Sequence, residues 1–176
     1  HDVAAAILRA IDHSSDVSGP AQDLVSAEIE EATGDTEIAA ETMTKVVDGG
    51  SEYSPEALAQ LIEVHWSDQL PLRPDLPDLA GAYAAEYRLT ELGSTLRRSH
   101  ATALALTARF EEIPPILDDI YEQDGAEALN EATVPFLSQP TENAADVTFL
   151  AFALLQTESD DMALPAALEV RMAERL

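Results

Sequence analysis

The sequence predicts an all-α fold of about nine helices joined by short loops. Three observations predict it. Apolar residues recur three and four apart, proline and glycine fall where helices start and stop, and no stretch sustains the alternation of a strand. The short helical pairs also suit an α-solenoid packing, although no internal repeat is evident.

The elements follow in order. Ala4–Ile11 carries Ile7 and Ile11 one turn apart and stops in the polar run from His13 to Asp16. Pro20 opens a second helix through Ala32, with Leu24, Ala27 and Ile29 on its apolar side and Gly34 as its stop. Asp35 is the expected cap of a third helix reaching Val47, closed by Gly49 and Gly50. Ser54-Pro55-Glu56 reads as a capping hydroxyl, a first-turn proline and a first-turn acid; the helix it starts carries Leu58, Leu61, Ile62 and His65. A proline-rich connector spans 70–77, its prolines favouring an extended strap that Leu70, Leu72 and Leu76 anchor to the core. Asp78 is the expected cap of the next helix, which Gly93 breaks; Ser94 then restarts a helix to Glu112. Pro114-Pro115 begins Ile116–Gln123, and Gly125 separates it from Ala126–Phe136, where Pro135 should distort the last turn. Thr141 caps Glu142–Thr157, and Pro165 opens a terminal helix to Leu176.

At 176 residues the chain is read as a single helical domain over 1–176, with N-terminal helices in 1–50 and the main helical core in 51–176. It has no cysteine, which removes disulfides, thiolate nucleophiles and zinc–thiolate sites. The most apolar segment, Val147–Leu155, is far short of a membrane span. No basic segment followed by an apolar run opens the numbering. A soluble protein of the cytosol is the expectation.

Charge is the strongest compositional signal. Thirty-four acids against nine bases give a net charge of −25. The acids are spread evenly, sixteen in Asp2–Asp75 and eighteen in Asp78–Leu176, and Lys45 is the sole lysine. In dilute buffer such a surface repels itself; at molar salt the Debye length of about 3 Å screens the repulsion. This is the composition of a protein adapted to very high salt. It argues against nucleic-acid binding through a general basic face.

Few residues suggest chemistry. Neither His65 nor His100 has the Glu-x-x-His spacing of a helical di-iron site, since Ile62 and Arg97 occupy the relevant positions. No zinc-protease, phosphate-loop or nucleophile-elbow motif occurs. No catalytic residue and no cofactor is assigned. The best enzymatic constellation joins His65 and Asp68 to His100 and Glu86, which makes His65 and His100 the weak metal candidates and a metal-dependent hydrolase one reading. Half-buried structural histidines are the simpler reading.

One segment departs from the rest. Leu79–Phe110 holds four arginines and two acids, together with Tyr83 and Tyr87. Tyr83, Tyr87, Arg88, Arg97 and Arg98 are therefore the candidate contacts for a protein partner, itself acidic. Internal braces of a helical hairpin, paired with acidic neighbours, are the simpler reading of the same arginines. Trp66 and His100, with Tyr83, Tyr87 and the Val147–Leu155 helix, are the candidate walls of a pocket for a peptide or small apolar ligand. The function expected is that of a non-enzymatic interaction or adaptor protein, with chaperone-like ligand capture as the alternative.

Overall fold

A computed structural model describes residues 19–138. Those residues form six α-helices, one 3₁₀ turn and no strand. They divide into two compact units, the boundary falling between Pro71 and Leu72 inside the proline-rich connector. The helices expected before Pro20 and after residue 138 lie outside the described residues.

The first unit contains α1 (Pro20–Thr33), α2 (Thr36–Asp48) and α3 (Ser54–Ser67). α1 packs on α2, and α2 on α3. Of the side chains the periodicity selects, Leu24 and Ala27 from α1 and Leu58, Leu61 and Ile62 from α3 are buried and Ile29 is half-buried; Met43, Val46 and Val47 of α2 are buried with them. Gly34 ends α1 in the left-handed region at φ 92°, and Asp35 N–H closes back on the Glu30 carbonyl at 2.8 Å. On the exposed side of α2, Lys45 pairs with Glu41 at 3.4 Å.

Two expected caps are corrected here. Asp35 makes no side-chain cap; its carboxylate accepts instead from Thr33 Oγ1 at 3.4 Å. Ser54 is fully buried as the first residue of α3, and its Oγ donates to the Val46 carbonyl at 2.8 Å, tying the helix start to the end of α2. The hydroxyl satisfies a neighbouring helix end rather than its own.

The second unit contains α4 (Leu76–Glu86), α5 (Glu91–Leu106), the 3₁₀ turn Phe110–Glu112 and α6 (Pro114–Ser138). α5 packs against both α4 and α6. Leu76, Leu96, Leu104, Ile113, Leu117 and Ile120 are its largest fully buried side chains. The connector is shorter than expected, because α4 starts at Leu76 with Pro77 in its first turn. Leu72 and Leu76 are buried, as anchors should be, and Leu70 is half-buried. Asp78 does not cap; it accepts from Arg109 Nη1 at 2.8 Å.

The break between α4 and α5 also moves. It lies at Tyr87–Thr90, and Gly93 sits inside the first turn of α5. Thr90 is the N-cap: its Oγ1 accepts from Gly93 N–H at 3.1 Å and donates to the Tyr87 carbonyl at 2.8 Å. A Cβ at position 93 would run into that same carbonyl, so the glycine permits a tight hairpin rather than ending a helix. α5 stops at Leu106, short of Glu112, where Ala108 turns left-handed at φ 58° and Arg109 N–H reaches the Leu104 carbonyl at 2.8 Å. α6 is interrupted where the sequence places a glycine separator: Gly125 has φ 87° and ψ −177°.

Candidate functional site

The second unit carries a cleft of about 330 Å³ lined by all three of its described helices. α4 contributes Gly81, Ala84 and Ala85, the hairpin Arg88, α5 Arg97 and His100, and α6 Pro115, Ile116 and Asp119. Small residues on α4 open the space. At Gly81 an added Cβ would lie 2.8 Å from His100 Cε1, so the histidine ring rests directly against the α4 backbone.

Arg97 is the inner wall. It is 4% exposed. Its Nε and Nη2 form a fork on Asp124, at 3.1 and 2.6 Å, and its Nη1 donates to the Arg88 carbonyl at 3.3 Å. One side chain therefore joins α5 to α6 and also holds the hairpin. Arg88 is different. Its side chain is 55% exposed, and it faces Asp119 at 3.9 Å without a hydrogen bond among the described residues. Asp119 lies at the same 3.9 Å from Arg97 Nε.

The His100 ring makes no hydrogen bond among the described residues. Burial pushes its pKa below the usual histidine value, and the Arg109 cation pushes the same way, outweighing Asp78 and Glu112, which raise it. Both effects favour the neutral ring, which has one donor and one acceptor nitrogen. Outside the cleft, Arg109 clasps Glu112 at 2.7 Å and Asp78 at 2.8 Å, which lowers the pKa of the exposed Glu112 carboxyl.

The other candidates fall as follows. Tyr83 and Tyr87 are half-buried, their rings meeting edge to face at 6.5 Å. Arg98 points away from Arg97, toward Ser94 Oγ at 3.3 Å and Glu131 at 3.6 Å, with its side chain 30% exposed. Trp66 is buried on α3 in the first unit, whereas His100 belongs to the second. His65 is also on α3, where its Nδ1 is buried without a hydrogen-bond partner among the described residues. Among the described residues no group of three or more His, Asp or Glu side chains is arranged to hold a metal; His65 and Asp68 belong to the first unit, Glu86 and His100 to the second. The Val147–Leu155 wall lies outside the described residues. No helix among them is long and apolar enough to cross a membrane.

Sequence reasoning missed Asp119 and Asp124, the two acids that organise the arginines. In a chain with 34 carboxylates, nothing in their spacing marks these two. Compared with protein-family models, with curated proteins and with solved structures, the chain matches none.

Proposed function

We propose that this protein is a non-enzymatic helical interaction protein of a high-salt cytosol, and that it engages an acidic protein partner through the α4–α5 hairpin. The observation that carries the reading is the hairpin tip. Leu89 is 94% exposed beside the exposed cation of Arg88, which borders the cleft. A fully exposed leucine is unremarkable alone, but next to a cation with unused donors and a concave surface it suits the centre of a contact. The high-salt setting is supported by the charge of −25 and by where that charge sits, since no described Asp or Glu is buried. Of the arginines first considered for contact, Arg88 and Arg98 remain available, while Arg97 acts from inside.

The test is affinity capture from the native host at its native salt, with three baits. The unaltered chain should retain a partner set that a bait carrying Arg88→Glu and Leu89→Asp loses. Ile38→Asp, at a 53%-exposed site on α2, should keep it. A well-folded double variant that keeps every partner would overturn the reading.

A further inference from the structure

Resting on that reading, we infer that the cleft between α4, α5 and α6 receives a single carboxylate side chain of the partner, gripped by Arg88 and His100, with Asp119 as a built-in competitor. Unused hydrogen-bonding groups converge there. The Arg88 guanidinium and the His100 ring border the same cleft, and neither makes a hydrogen bond among the described residues. At 3.9 Å, Asp119 attracts both arginines but lies beyond hydrogen-bond distance, which ends at about 3.5 Å. The donors are left unspent.

The rest of the cleft is arranged around them. Arg97 Nη1 holds the Arg88 carbonyl, so the backbone of the gripping residue is fixed before a ligand arrives. Ala84, Ala85, Pro115 and Ile116 supply apolar surface for the methylenes of an acidic side chain. A volume of about 330 Å³ is at the small end of ligand sites, which suits a side chain with its immediate neighbours. At molar salt the long-range repulsion from the remaining carboxylates is screened within about 3 Å, so these short contacts decide the outcome.

Asp119 sets the selectivity. An incoming carboxylate must share the arginines with it, which moderates affinity for a monoanion and opposes a dianion more strongly. Phosphate is therefore the disfavoured guest, and replacing Asp119 with its neutral isostere should tighten binding.

The experiment uses the full chain in molar potassium chloride and three probes: N-acetyl-leucyl-glutamate amide, its glutamine counterpart, and inorganic phosphate. The nuclear magnetic resonance signals of the His100 ring and Arg88 Nε report binding, assigned with His100→Gln and Arg88→Gln. The glutamate peptide should shift both signals and saturate. The glutamine peptide should bind about tenfold more weakly, a factor corresponding to one charge-assisted contact. Arg88→Gln should weaken the glutamate peptide by about tenfold and Asp119→Asn tighten it by a similar factor, with unchanged melting in both variants. Equal binding of the two peptides, no response to either, tighter binding of phosphate, or weakened binding in Asp119→Asn would each overturn the inference. These outcomes are separable from the capture experiment. If partners depend on Leu89 and Arg88 but the peptides are not distinguished, the interaction reading stands and the carboxylate site falls. If the peptides are distinguished but no partner depends on the tip, the site stands and the protein-partner reading falls.

Discussion

Arg97 and Arg98 are adjacent in sequence and opposite in environment. Neighbouring helical residues diverge by about 100°, so the pair could not share one surface, and this much is legible without coordinates. Which of them turns inward is not. The deciding partner, Asp124, lies 27 residues away, beyond a turn and two prolines. Burial separates the energetics. Replacing Arg97 with methionine strands the Asp124 carboxylate, itself only 17% exposed, and should cost about 3 kcal/mol. Arg98→Ala loses a partly exposed contact to Glu131 and should cost about 0.5 kcal/mol. Urea denaturation at constant molar salt measures both. Equal costs would show that Arg97 is not the brace its geometry describes.

Among the described elements, helix existence is legible and helix edges are less so. The expected helix from Pro20 to Ala32 ends at Thr33, and the one expected from Ser54 ends at Ser67, because proline and glycine act through local geometry. The edges misread were those where a side chain serves a distant group. Ser54 binds the Val46 carbonyl, Asp78 binds Arg109, and Gly93 makes room for the Tyr87 carbonyl. Thr90, with Glu91 in the turn that follows, was the available start signal and was overlooked in favour of the glycine. Gly93 offers a test with a clear sign. In an ordinary helix turn, glycine to alanine stabilises by up to about 1 kcal/mol. Here Gly93→Ala should instead destabilise, by about 1–3 kcal/mol, because the new methyl meets backbone that cannot swing aside. A raised melting temperature for this variant would contradict the hairpin geometry.

At the scale of the whole molecule, all-α architecture was readable from periodicity alone, and the described residues bear it out. The boundary at Pro71 was partly readable: the proline cluster marks it, although the sequence presents it as a strap within one domain. The cleft was legible as a charged region rather than as a cavity, because cavities depend on three helices whose relative placement no local pattern encodes. Net charge belongs to this scale as well. With most of the described carboxylates exposed and none fully buried, their mutual repulsion is a property of the ensemble rather than of any pair. The melting temperature should therefore climb steeply from dilute to molar potassium chloride and level off once screening is complete. A melting temperature independent of salt would remove the high-salt part of the proposal.

The pairing of Lys45 with Glu41 on α2 has a practical consequence for labelling. The chain contains one lysine, 67% exposed in the first unit, and every cation lining the cleft is an arginine. A succinimidyl dye or an activated-ester sensor surface thus finds a single side-chain amine, and it leaves each cleft residue chemically unaltered. Guanidinium reagents such as phenylglyoxal have the complementary reach, and the buried Arg97 should resist them while Arg88 reacts. Two commonplace reagents can in this way address the lysine of α2 and the exposed arginine of the cleft independently, with no engineered cysteine.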